Sequence, residues 1–224
     1  LTSAATAAAH RGEEAQMNGS ALTGRDLAIG TGIAGIMGWT FVAVGGVPLA
    51  VTFVPGLIVT WGIFAWMWRH GVPLPPAETT YPLYFGALAW QFIHFCEEFI
   101  TGFNAAFPPL FGSPGYGADL FVGINMFSYF VFTLAFILVF ARGLRFLYVP
   151  VLFFAVYGVV GNAVAHVVWV AWERAYFPGF FTAPVYWLLG PLLLTRLTGS
   201  RRIAGVAIAA FAVLLVSVLL STMR

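Results

Sequence analysis

The stretch IAGVAIAAFAVLLVSVLLST, residues 203–222, decides how the rest of the chain is read. It holds no charge and no proline. About 20 apolar residues wound as a helix match the hydrocarbon thickness of a bilayer. The remainder of the chain has the same character. Of its 224 residues, 61% are hydrophobic and 8% charged, with a mean hydropathy of +0.92. Soluble domains carry about 25% charged residues. A soluble fold cannot hide this much apolar surface, so lipid must be the solvent. The expected fold class is all-α, a polytopic transmembrane helix bundle.

Working back from that run, breakers divide the chain into seven expected spans. They are about Leu27 to Val44, Leu49 to Trp68, Tyr81 to Phe103, Ala118 to Ala141, Phe146 to Trp172, Pro184 to Thr195, and Ile203 to Thr222. Gly45-Gly46-Val47-Pro48 separates the first two, and the sixth is short and holds Pro191. Residues 1–25 are small, polar and aperiodic, and read as a flexible tail ahead of a single bundle over 26–224. The tail lacks the basic start and apolar core of a secretory signal.

All ten basic residues are arginine, and their placement tests the count. With seven spans, Arg11, Arg25, Arg69, Arg142, Arg145, Arg196, Arg201 and Arg202 share one side, and Arg174 and Arg224 the other. The positive-inside rule expects such asymmetry, with the N-terminus cytoplasmic and the C-terminus outside. If the first two runs are one broken span, the count is six and the split falls from 8 against 2 to 6 against 4. A net charge of +2 offers no face for nucleic acid. The single cysteine, Cys96, excludes an internal disulfide or a multi-cysteine metal site.

One span departs from ordinary lipid helices. Trp90-Gln91-Phe92-Ile93-His94-Phe95-Cys96-Glu97-Glu98-Phe99-Ile100-Thr101 carries His94, Glu97 and Glu98 at i, i+3 and i+4, on one helix face. Gln91 and Thr101 extend the stripe by a turn each way. A charge at mid-bilayer costs about 2.5–3.5 kcal/mol on insertion scales, so such residues face a bundle interior and are functional by default. The fifth span offers Asn162 and His166 at i, i+4, followed by Trp169, and the fourth offers Asn125, Ser128 and Tyr129. The alternating directions of the third, fourth and fifth spans put His94, Glu97, Glu98, Asn125, Asn162 and His166 in the non-cytoplasmic half, which points to one shared pocket. Taken singly, Asn125 or Tyr129 reads equally well as a hydrogen bond between helices. Glu173 and Arg174 read as an interfacial pair. Trp90, Phe95, Phe99, Phe127, Trp169, Tyr186 and Trp187 are candidate walls for a greasy substrate.

The segment Trp90 to Phe103 resembles the signature of the HXXEE family of membrane proteins. The resemblance continues through Phe121-Val122-Gly123-Ile124-Asn125, Gly161-Asn162-Ala163-Val164-Ala165-His166 and Tyr176-Phe177-Pro178-Gly179-Phe180-Phe181-Thr182-Ala183. It spans roughly residues 85–197 and implies site positions more than a chemistry. A looser likeness, Ile93-His94 followed by Glu98, is similar to the His-x-x-x-Glu pattern of EXPERA-type sterol isomerases. It implies carbocation chemistry handled by buried acids and aromatics.

Three functions compete at this point. The first is a membrane isomerase or terpene-cyclase-like enzyme for an isoprenoid or sterol-like lipid, needing no cofactor. There a neutral Glu97 or Glu98 is the general acid, His94 and His166 assist, and Asn125 and Asn162 orient. The second is a zinc- or iron-dependent membrane hydrolase or oxidase, with His94, Glu97 or Glu98, and His166 as ligands. The third is a proton-coupled lipid binder or transporter. The expected partners are membrane lipids and a lipophilic small molecule.

Overall fold

The computed structural model describes residues 21–224, and they are almost entirely helical. Residues 1–20, with most of the expected tail and Arg11, lie outside the described residues. Among the described residues, four helical stretches are long and apolar enough to cross a membrane: Gly24–Arg69, Ala118–Arg142, Arg145–Glu173 and Arg201–Thr222.

The first stretch is two antiparallel helices, α1 (24–45) and α2 (47–69), joined at Gly46. Its φ of 62° and ψ of −150° suit glycine and break the helical path. The arms fold back on each other. Trp61 Nε1 donates to Thr31 Oγ1 at 3.0 Å, the Phe41 and Phe53 rings meet edge-on at 4.9 Å, and Gly30 lies against Phe64. The Gly-Gly-Val-Pro break is therefore a hairpin turn between two helices. α1 begins at Gly24, earlier than the Leu27 expected, because Thr23 caps it. Asp26 N donates to Thr23 Oγ1 at 3.2 Å, and Thr23 N donates to Asp26 Oδ2 at 2.9 Å.

The remaining long elements are α3 (Ala77–Ile100), α4 (Ala118–Arg142), α5 (Arg145–Glu173), α6 (Tyr186–Thr198) and α7 (Arg201–Thr222). α5 is the most enclosed and runs as a π-helix from Phe154 to Gly161, ending at Asn162, one turn before His166. Such widened turns recur at functional sites. α6 has only 13 residues.

Two ends of the bundle are defined by contacts. At one, Arg145 Nε pairs with Asp26 Oδ2 at 3.4 Å, and Tyr148 Oη donates to the Leu197 carbonyl at 2.9 Å. At the other, Arg224 N donates to the Leu110 carbonyl at 2.9 Å, and Tyr116 Oη donates to the Gly45 carbonyl. Helix direction then groups Arg25, Arg69, Arg142, Arg145, Arg196, Arg201 and Arg202 at the first end.

Candidate functional site

α3, α4 and α5 bring Gln91, His94, Glu98, Asn125, Tyr129, Asn162 and His166 into one region. Two carboxylates were expected there, and only one belongs. The i+3 and i+4 positions sit about 100° apart around a helix, and here that angle separates two environments.

Glu98 turns inward. Its Oε1 lies 3.4 Å from His94 Nε2 and 3.4 Å from His166 Nε2. Both histidines are fully buried and Glu98 nearly so. Neither Nε2 has a hydrogen-bond partner among the described residues. The ligand-capable atoms of the three residues lie within 4.8 Å of one another. Four ligands about 2.0–2.1 Å from a tetrahedral zinc ion stand about 3.3–3.4 Å apart, so the two His–Glu98 spacings match edges of such a shell, while the third separation in the cluster, up to 4.8 Å, would have to close to complete it.

Glu97 turns toward the segment between α5 and α6. Its carboxylate accepts from Tyr176 Oη at 2.8 Å, Phe181 N at 2.9 Å, Thr182 N at 2.8 Å and Thr182 Oγ1 at 2.6 Å. These bonds fasten the loop that leads into α6. They also correct the expectation that Glu97 shares the cluster, since four donors already occupy its oxygens. Trp90 serves the same fastening, its Nε1 donating to the Thr182 carbonyl at 3.1 Å. Partial burial, and then the neighbouring Glu97 charge, raise the Tyr176 phenol above its usual pKa, which keeps it a donor.

Thr182 joins the two carboxylates' surroundings. His94 Nδ1 lies 2.7 Å from Thr182 Oγ1. That hydroxyl gives its proton to Glu97, so toward His94 it accepts, and Nδ1 carries the ring proton. Nε2, on the Glu98 side of the ring, is then open to a proton or a cation. A lone pair facing a carboxylate is unfavourable unless a proton or a cation lies between them. The His–Thr–Glu arrangement matches how metal-ligating imidazoles are oriented from behind. His166 has no such partner on either nitrogen. It is boxed by the rings of Phe103, Trp169 and Phe177.

Gly179 closes the cluster from the loop side. A methyl group there would collide with His166 Cε1 and lie 2.9 Å from Glu98 Cγ and 3.0 Å from His94 Cε1. Its φ of 89° also favours glycine. Gly179, Thr182 and Tyr176 carried no assigned role in the sequence. Their only signal was their place in the motif Tyr176 to Ala183.

On the other side is a cavity of about 80 Å³. Glu98 lines it, with Gln91, Asn125, Tyr129 and Asn162 supplying polar groups and Phe121, Tyr157 and Trp169 apolar walls. Gln91 is the hub of the polar groups. Its Oε1 accepts from Tyr186 Oη at 2.6 Å and from Asn162 Nδ2 at 3.5 Å. Its Nε2 donates to Tyr129 Oη at 3.3 Å, and Tyr129 donates on to Asn125 Oδ1 at 3.2 Å.

Several expected wall residues lie elsewhere. Thr101 is exposed and bonds the Glu97 carbonyl. Trp187 and Phe127 are exposed on the outer surface, at 48% and 65%. Phe99 is also exposed, stacking with Phe95, which in turn lies over Phe121 at 5.5 Å. In a lipid-solvated bundle an outward aromatic costs nothing, so aromatic content alone does not mark a pocket.

No family model matches the chain, and no curated protein and no solved structure matches it.

Proposed function

We propose that the chain is an integral-membrane metalloenzyme, a hydrolase in which His94, Glu98 and His166 hold one zinc ion at the wall of a cavity for a lipophilic substrate. The observation that carries this reading is the pair of 3.4 Å approaches of two buried, otherwise unbonded Nε2 atoms to one Glu98 oxygen. Two histidines and one glutamate make the ligand set of catalytic zinc sites that keep a position open for water. Zinc would lower the pKa of that water and polarise a substrate carbonyl. The chain's own residues would do the rest. Gln91, Asn162 and Tyr129 hold the polar end of the substrate, while Phe121, Tyr157 and Trp169 exclude bulk water. Glu97 positions His94 through Thr182 and is not a ligand. The likeness to the HXXEE family belongs to the same reading, since its motifs contain His94, Glu98, His166 and Gly179.

In this reading the arginine-rich end is cytoplasmic, the site lies in the outer half of the bilayer, and the C-terminus is outside. A C-terminal reporter found in the cytoplasm would contradict that orientation.

One observation favours a second reading. Of the three clustered residues only Glu98 lines the cavity, whose aromatic walls suit a cationic intermediate. Glu98 would then be the general acid of an isomerase or cyclase acting on an isoprenoid or sterol-like lipid, with the two histidines behind it and no metal. The test is thermal unfolding of detergent-purified protein before and after EDTA, then after zinc is restored. The metalloenzyme reading predicts a lowered transition that zinc recovers. A transition indifferent to both treatments would contradict it and leave the acid–base reading.

A further inference from the structure

The inner cavity is too small for a whole lipid, and a second space adjoins it. A groove of about 640 Å³ lies between α1 and α4, lined by Ile36, Phe41 and Val44 on one side and by Leu120, Phe127 and Val131 on the other. A space of 300–1,000 Å³ is the usual size for a site holding one small organic molecule. The groove and the inner cavity share Leu49, Ile124, Ser128 and Phe132 on their linings. Ile36 and Phe127 are exposed at 66% and 65%, so the groove faces outward, where a bilayer would lie. Gly123 lines it with open space beside its Cα. Among the described residues, the single charged side chain on its lining is Asp119, in the first turn of α4, at the end of the bundle where Gly45 meets the 103–117 segment.

We propose that this groove is a lateral access route from the bilayer, and that its occupant is the hydrocarbon tail of a single-chain, uncharged lipid substrate. The inference rests on the proposed membrane site and names its substrate class. The tail lies between α1 and α4, and only the reactive polar end passes Leu49, Ile124, Ser128 and Phe132 to reach Gln91 and Glu98. A cavity of about 80 Å³ admits such an end and no more. Asp119 sits where the groove reaches the headgroup region, and its charge disfavours anionic lipids there. A groove of about 640 Å³ holds one hydrocarbon chain more readily than two.

The test uses the whole chain in phosphatidylcholine vesicles and a long-chain alcohol carrying a photoactivatable diazirine beside its hydroxyl. Labelled positions are mapped by mass spectrometry, and metal content is measured on the same samples. The proposal predicts labelling of inner-cavity residues such as Tyr129 and Tyr157, beyond the reach of lipid that merely surrounds the bundle. Gly123→Phe, which fills the groove from an open position, should reduce that labelling roughly tenfold or more while metal content is unchanged. The corresponding long-chain sulfate should compete poorly. Labelling confined to outward positions such as Trp39 and Leu220 in the native chain would overturn the proposal, whatever the variant does. Inner labelling that Gly123→Phe leaves intact would overturn the route. Inner labelling blocked by Gly123→Phe in a chain without metal would uphold the route and remove the metalloenzyme reading.

Discussion

Glu97 and Glu98 are adjacent in sequence, carry the same functional group, and belong to different parts of the molecule. The Glu97 carboxylate is met by four hydrogen-bond donors from one loop. Glu98 is met by two imidazoles whose nearest nitrogens are not hydrogen-bonded to it. A carboxylate surrounded by donors has its charge satisfied and acts as a fastening. A buried carboxylate with no well-aligned donor lacks that satisfaction and asks for a cation or a proton. In the proposed reading, that difference separates holding the site together from performing its chemistry.

That contrast can be broken by substitution. The largest effect is expected at Glu98, where Glu98→Gln should remove stoichiometric metal from the purified protein by elemental analysis. Next is Gly179→Ala. The added methyl collides with the cluster at a positive φ. Its expected cost is about 3 kcal/mol or more in unfolding free energy, together with weakened metal binding. Unchanged stability there would mean that the loop does not press on the cluster. Thr182→Val comes third. It cuts the link from His94 to Glu97 and should weaken metal binding roughly 10–100-fold, read by competition with a chromogenic chelator. Tyr176→Phe is the smallest. It removes one of Glu97's donors at an exposed position, at about 1 kcal/mol or less, with metal affinity unchanged. A large loss of metal from Tyr176→Phe would show that the two carboxylates are not separable.

Much of this arrangement was legible in the sequence, and the reasons are specific. The break at Gly45-Gly46-Val47-Pro48 announced two helices because few residues other than glycine tolerate the backbone that Gly46 adopts. The nearness of His94, Glu98, Asn125, Asn162 and His166 was readable from helix direction and depth, because polar groups in apolar helices have few places to go. The division of labour between Glu97 and Glu98 was not legible. It depends on where the loop before α6 returns, and no local periodicity encodes that return. The inclusion of Thr101 failed because the stripe was extended past the end of α3, where the helix stops at Ile100. Trp187 was misplaced as a pocket wall because lipid and cavity select the same side chains. Phe127 does line the groove, a surface that no run of residues could announce because α1 and α4 are far apart in sequence.

The most direct test of the account is the metal content of three purified proteins measured side by side: the native chain, Glu98→Gln and Glu97→Gln. The account predicts about one zinc per chain in the native protein and none in Glu98→Gln. Glu97→Gln should retain zinc at saturating concentration, with a lower thermal transition. A native chain without metal, or equal loss from both variants, would contradict it.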